Sequence, residues 1–535
     1  MPDDSGPSTF ARRDVLTRGG AALAGLAAGG WLAPPALAAG SAPDWPGAEL
    51  TGAAARCVDP VQFLPWEQIH VWQQAADDVG LRATGTGSHH RYVDHLAERM
   101  EQVGIRDVQA DQTPLNRWEP STWGLDVIGG QDAGPVDVAW YVPYSGSTGP
   151  DGVTAPLSAH PRRDTIGIVK VDPWRIPYLL MDLIDWDAPW QPKHHPGYNP
   201  AEIYNRPWSG GMSAAKALDD YKKAGALGLV IVLDLPRDVA RGQYLPYDGI
   251  IRGLPSLIVD RDTGARLMKA AGSGAQVRIR LRAAVTRVTT PNLYGIIPGA
   301  SDELVMLHSH TDGTNGLEEN GPEAILAMAQ YLARIPRRHL PRSILVVMAT
   351  GHMAGTMGTD AFLRRHADGM VARTAAAMSL EHLGARPWLP DANGDYRIAP
   401  GYETAICFTS PHPAMINAAR RAQLRSKVGD ARVMRPFLPD TRLESPSGFW
   451  WPGDGEGLWR ISALPSLQFI TGPAYLLNAN MPTMQFVDTH AMRRQAIAFT
   501  NAALELANTP RTQLQQRRID DPSIVLDALR RLGLA

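Results

Sequence analysis

The sequence predicts an α/β protein: a mixed sheet with helices on both faces, interrupted by a β-rich insertion. Three observations lead there. From about residue 290, apolar runs of strand length ("ELVMLHSH", "RSILVVMATG", "TAAAMSLEHLG") alternate with helical patterns at 322–334 and 358–366. Such alternation implies a parallel or mixed sheet covered by helices. Residues 60–110 read as helical, whereas 125–285 switch to short β-type runs ("IGIVKV", "LGLVIVLDL", "LPSLIVD") around one helix, "AAKALDDYKKAGA".

Taken in order, the first segment is an address rather than fold. Arg12-Arg13, a short Ala/Gly/Leu-rich run and Ala36-Leu37-Ala38 follow the order of a secretory signal, and the arginine pair resembles the twin-arginine type. Residues 1–39 are therefore expected to direct export to the periplasm or exterior. The run is broken by glycines and ends in Pro34-Pro35, which excludes a membrane span, and no later run is long enough for one. In "YVDHLAERMEQVG" the apolar residues Val93, Leu96, Met100 and Val103 recur at helical spacing, with Gly104 as cap. Residues 186–211, rich in Trp and Pro and without period, read as a long functional loop. A last helix is expected at 489–507, with a tail helix in 510–535. The net charge of −2 gives no electrostatic reason to expect nucleic acid, and 44% apolar residues suffice for buried cores. An oxidising exterior permits one disulfide between the two cysteines, Cys57 and Cys407.

Chemistry concentrates in "HSHTDGTNGLEENGPEA", residues 308–324. Two histidines, an aspartate and three glutamates sit at or beyond the carboxyl end of a predicted strand, where ligands collect in doubly wound folds. The next two strands end near His352 and Glu381-His382. Three strand ends each supplying His or Glu point to a metal or catalytic site.

These residues resemble the co-catalytic zinc exopeptidases of the aminopeptidase and glutamate carboxypeptidase type. "GLRATGTGSHHRYVDHLAERMEQVGI" is similar to that family's opening helix, and "TPNLYGIIPG" to its return into the catalytic sheet. "KALDDYKKAGALGLVIVLD" and "LPSLIVDRDTGARLMKAAG" resemble the protease-associated domain often inserted between them. The resemblance implies an exopeptidase-like domain from 40–124 and 286–509, with a protease-associated-like domain at 125–285. It makes His310 a metal ligand, Asp312 the residue that orients its imidazole, and Glu319 and Glu381 carboxylate ligands, each one methylene longer than the family's Asp. A set of one imidazole and two carboxylates suits Zn²⁺ with an open position. The family's Glu-Glu pair is replaced by His352-Met353, and its late His is absent near Leu476 and Leu477. Both losses belong to one ion, so one ion, or none, is expected. His352 stands where the general base belongs, and can serve as base, as a fourth ligand, or as a hydrogen-bonded structural histidine.

Around this centre, His308 shares a strand face with His310, His382 points away from Glu381 if the strand continues, and His490 is a cap or surface residue. Trp186, Trp190 and Trp208 from the long loop, with Trp450, Trp451 and Glu456, are the candidate substrate contacts; the same tryptophans would equally serve to pack loops. The leading expectation is an exported, metal-dependent hydrolase of an amide, peptide or ester bond, with His352, Asp312 and Glu318 as catalytic residues. A carbohydrate-active enzyme using a Glu pair without metal, and a non-catalytic protein that captures a ligand, are the alternatives. The substrate class is a small molecule, peptide or glycan; oligomeric state is not encoded in any motif.

Overall fold

The structure, a computed structural model, describes residues 47–130, 133–186, 201–429, 431–436, 451–481 and 483–518. The expected signal at 1–39, Trp190, Trp450 and most of the 510–535 tail lie outside those residues.

Among the described residues one 14-stranded sheet crosses the molecule. The strands that matter for the site are β1 (Arg106–Ile128), β2 (Val153–Ser158), β3 (Ile166–Val171), β4 (Gly228–Leu233), β5 (Ser256–Val259), β6 (Gln276–Ile297), β7 (Ser301–His310), β8 (Arg342–Ala349), β9 (Thr374–Leu380), β10 (Ala405–Thr409), β11 (Ala431–Met434) and β12 (Ser466–Thr471). Their order is β11-β10-β12-β9-β7-β8-β6-β2-β3-β4-β5. β7 runs parallel to β8 and β9, and β9 parallel to β12, so four carboxyl ends share one edge of the sheet. β7 from Leu304 onward, β8 and β9 are buried at every position, with apolar centres, because both their faces are covered.

The covering helices are α1 (Trp66–Asp78), α2 (Gly87–Gln102), α3 (Gly321–Leu332), α4 (Pro413–Ser426) and α5 (Thr489–Asn508). α3 is buried on every side, as its nearly all-apolar sequence requires, and packs against α5 and β7. α2 is capped by Thr86, whose hydroxyl accepts from the His89 amide. No helix among the described residues is long and apolar enough to cross a membrane.

The insertion is joined to the main sheet more closely than the sequence suggests. The expected boundaries at 124/125 and 285/286 fall inside β1 and β6, which pair antiparallel along nearly their whole length. β6 pairs with β8 through Leu293–Ile297 and with β2 through Gln276–Ile279. The ladder therefore passes from one half of the chain to the other without a break. One apolar core lies among α1, α2, α3, α5 and the catalytic strands. A second unites the insertion's strands with Leu317, Met353, Leu476 and Leu477. The carboxyl ends of β7, β8 and β9 open between these two cores. Cys57 is exposed, Cys407 is buried, and both are free, so the permitted disulfide does not form.

Candidate active site

β7 ends on His310. Its Nδ1 lies 3.0 Å from the Asp312 carbonyl, which only accepts, so Nδ1 carries the proton and Nε2 keeps its lone pair. Burial holds the imidazole well below its usual pKa and hence neutral.

β9 stops at Leu380, one residue before Glu381. Strand alternation would send Glu381 and His382 to opposite faces, but His382 adopts a left-handed backbone, φ +59°. This brings its Nε2 to 4.0 Å from Glu381 Oε2, on the same side rather than pointing away as a continued strand would place it. His382 Nδ1 donates to the Thr471 carbonyl at 2.6 Å, and burial pushes its pKa down to about 3. Glu381 Oε1 accepts from the Ser379 hydroxyl (3.2 Å) and the Asp454 amide (3.1 Å). Its other oxygen is 3.8 Å from His310 Nε2. Burial, reinforced by Asp454, raises the Glu381 pKa to about 8.

His310 Nε2, Glu381 Oε2 and His382 Nε2 are buried without a hydrogen-bond partner. They lie within 4.8 Å of one another. Each of the three side chains is fixed by its other polar atom and presents the remaining lone pair to a common point. Buried polar atoms are seldom left unpaired, so this arrangement fits a cation such as Zn²⁺.

His352 is engaged differently. Its Nδ1 lies 2.6 Å from Asp454 Oδ1 and its Nε2 2.9 Å from Glu318 Oε1. The ring stacks on that of His310, centroids 3.9 Å apart and planes 12° from parallel. Burial opposes its charge, but the flanking carboxylates outweigh that and hold its pKa well above 6.5. Both ring nitrogens thus face carboxylates, and His352 is held between Asp454 and Glu318. His310, Glu318 and His352 also form a grouping of ligand atoms. Both groupings draw on the single free nitrogen of His310, so they do not make two independent sites.

Asp312 touches the His310 ring only through its backbone carbonyl, not through the carboxylate expected to orient it. The carboxylate instead accepts from Thr84 Oγ1 (2.5 Å) and from the amides of His352 (3.2 Å) and Met353 (2.9 Å), anchoring the turn after β8. Burial raises its pKa to about 6.

Glu319, expected beside His310 as a ligand, is paired with Arg82 in full burial. Arg82 also reaches the carbonyls of Ala76, Gly80 and Asn315 and stacks over Tyr92. The carboxylates of Glu318 and Glu319 both pass beneath Gly313, where a Cβ would overlap them. Successive residues thus serve different partners, Glu318 facing His352 and Glu319 the guanidinium. Met353, Leu476 and Leu477 are buried in one apolar cluster with Leu317, where they offer no metal ligand.

Two cavities meet here. The inner one, about 40 Å³, is lined by Glu318, His352, Glu381 and His382 and by apolar residues including Ile176, Met181, Ile406 and Phe408. The outer one, about 300 Å³, shares Trp174, Trp208, Tyr247 and His352 with it. Of the expected substrate contacts, Trp208 lines both and donates its indole N–H to the Gly472 carbonyl at 2.8 Å. Trp451 is buried, bonded to Gln468 and parallel to Phe408, yet lines the outer cavity. Glu456 also lines it, paired with Arg460 at 2.8 Å. Trp186 lines neither; it is only 2% exposed, in the main core with Arg435 over its ring, so packing claims it. His308 bonds Ser379 and Thr359 beside the site, and the His490 ring lies against Trp66, centroids 4.0 Å apart and planes tilted by 30°. Arg82, Tyr247, His382 and Asp454 were missed as site residues; only His382 had a signal, its place beside Glu381 at a strand end.

No family model and no curated protein matches the chain. Solved structures do. A zinc aminopeptidase from Bacillus subtilis aligns over 82% of this chain and 93% of its own, with TM-score 0.56 and 13% identity. An aminopeptidase from an Aneurinibacillus species gives the same coverages, TM-score 0.54 and 12% identity. A peptidase precursor from Shewanella amazonensis aligns over 85% of this chain and 98% of its own, with TM-score 0.57 and 14% identity. The chain therefore has the zinc-exopeptidase fold, as its strand-end motifs imply.

Proposed function

We propose that the chain is an exported hydrolase that cleaves an amide, peptide or ester bond with one zinc ion held by His310, Glu381 and His382. The observation that carries this reading is the convergence of three buried, unpartnered ligand atoms, each on a side chain fixed by its other polar atom. Two imidazoles and one carboxylate form a known catalytic zinc set that leaves a fourth position open. A bound zinc would supply Lewis-acid polarisation of a carbonyl or a lowered pKa for water.

The protein's own groups divide the remaining work. Glu318 borders the inner cavity, which is large enough for a water molecule, and is placed to take a proton from it. His352, held between Asp454 and Glu318, fixes the Glu318 carboxylate in orientation. Thr359 holds the far oxygen of Asp454 at 2.9 Å, completing the chain of contacts. The apolar lining of the inner cavity favours a substrate with an apolar group beside the scissile bond, and it excludes bulk water. The zinc aminopeptidases that share the fold support peptide-like substrates.

The test is hydrolysis of aminoacyl amides, N-acyl amides, esters and glycosides by full-length protein, stripped of metal and then reconstituted with zinc. Zinc-dependent amide or ester cleavage is expected. Glycoside cleavage without metal would return the site to a pair of carboxylates, and ligand binding without turnover would make it a capture protein.

A further inference from the structure

We propose that Tyr247, carried on the insertion, is a catalytic residue whose phenolic hydroxyl donates a hydrogen bond to the substrate's carbonyl oxygen as that oxygen becomes negative. The inference rests on the hydrolase reading and assigns a role that neither the strand-end motifs nor the ligand set supplies.

The segment carrying Tyr247 is fastened to the turn that presents His352. The Tyr247 carbonyl accepts from the Gly355 amide at 3.2 Å, and Asp248 bridges to Ala354. Gly249, φ +69°, lies so near this turn that a Cβ would stand 2.7 Å from the Ala354 carbonyl oxygen. Arg252 grips both Asp248 oxygens, at 2.9 and 2.7 Å. The tyrosine ring is thereby held over the His352 imidazole, with centroids 5.4 Å apart and planes 28° from parallel.

The hydroxyl is uncommitted. Three other tyrosines near the site spend theirs on backbone carbonyls: Tyr144 on Met353, Tyr204 on Gly472 and Tyr475 on Arg386. The Tyr247 hydroxyl meets no hydrogen-bond partner among the described residues, although its side chain lines both cavities. A phenol titrates ordinarily near 10 and so remains a donor at neutral pH. Of the other donors lining the inner cavity, Tyr204 and Trp208 spend their protons on the Gly472 carbonyl and Thr471 on that of His382, while both ring nitrogens of His352 face carboxylates. Among the described residues, the Tyr247 hydroxyl lines this cavity as a neutral donor with no hydrogen-bond partner.

In the step it serves, a water oxygen forms a bond to the carbonyl carbon while the C=O π pair moves onto oxygen. Glu318 takes one water proton, and Tyr247 keeps its own proton while donating a hydrogen bond to the new oxyanion. On collapse the pair re-forms C=O, the bond to the leaving nitrogen or oxygen breaks with its electrons on that atom, and Glu318 returns the proton there. A preorganised donor that meets charge only in the transition state lowers the barrier rather than KM.

The test is Tyr247→Phe, which keeps the ring and removes only the hydroxyl. kcat for the best amide or ester is expected to fall about 100- to 1,000-fold, the usual loss of one oxyanion donor, with KM changed only a few-fold. Zinc content and urea midpoint should match wild type. A phosphonate analogue of the substrate should bind Tyr247→Phe more weakly by a similar factor, while the carboxylate product binds as before. An active wild type with unchanged kcat in Tyr247→Phe overturns this proposal alone. So does a kcat loss accompanied by equal losses of zinc or stability. A wild type with no amide or ester hydrolysis overturns the hydrolase reading and this proposal together.

Discussion

Replacing Glu319 by Gln separates an ion-pair role from a ligand role. Arg82 and Glu319 are paired with both side chains wholly inaccessible, so the substitution leaves a guanidinium charge buried without its counter-charge. Breaking a buried pair by removing one partner costs about 3–5 kcal/mol. Arg82 retains the carbonyls of Ala76, Gly80 and Asn315 and the face of Tyr92, which places the loss near the lower end, about 3 kcal/mol. That is a large part of the 5–15 kcal/mol typical of a folded domain. Urea unfolding should therefore show a midpoint well below wild type, while protein that remains folded still binds zinc with wild-type stoichiometry. Replacing Arg82 and Glu319 together by Met removes both charges and should recover much of the loss. A Glu319→Gln protein as stable as wild type but unable to hold zinc would refute this reasoning and return Glu319 to the ligand set.

The tryptophans separate by burial. Trp186→Ala should cost about 3–5 kcal/mol in urea unfolding, as a large ring lost from a packed core does. Trp208→Ala should raise KM for substrate with a smaller loss of stability, because the ring lines both cavities and is only partly buried. Glu323 carries a pH dependence: burial lifts its pKa from 4.5 to about 7, although Tyr92 donates to it at 2.6 Å. Between those values the folded state holds a proton that the unfolded chain has released. This contribution to stability is therefore full below pH 4.5 and is lost as pH rises through 7. At about 1.4 kcal/mol per unit the change is roughly 3 kcal/mol, measurable as urea midpoints at pH 5, 6 and 8, and Glu323→Gln should flatten it.

The sheet was readable because β7, β8 and β9 each hold a short apolar run with polar residues at or just beyond its carboxyl end, so His310, His352 and Glu381 could be placed at one edge. Their partners were not readable, for physical reasons. His382 joins Glu381 through a left-handed residue, and period-two reasoning assumes that none intervenes. Arg82 and Asp454 arrive from 237 residues before Glu319 and 102 after His352, and no local pattern encodes so distant a charge pairing. The sequence offered Glu318 and Glu319 as equals; the close approach of both carboxylates to Gly313 and the guanidinium beyond separate them. Trp186 and Trp208 sat in one aromatic stretch, and only the fold shows that one is core and the other cavity wall. The insertion's junction with the main sheet was not readable because β1 and β6 continue through residues 124/125 and 285/286 as one ribbon.

The ligand set is tested most directly by crystals of zinc-reconstituted protein measured on both sides of the zinc absorption edge, with zinc analysis of wild type and His382→Ala. One anomalous peak per chain is predicted, at roughly 2.0–2.2 Å from His310 Nε2, Glu381 Oε2 and His382 Nε2. His382→Ala should hold far less zinc than wild type. Two peaks per chain, one peak ligated by Glu319 in place of His382, or full zinc occupancy in His382→Ala would contradict the account.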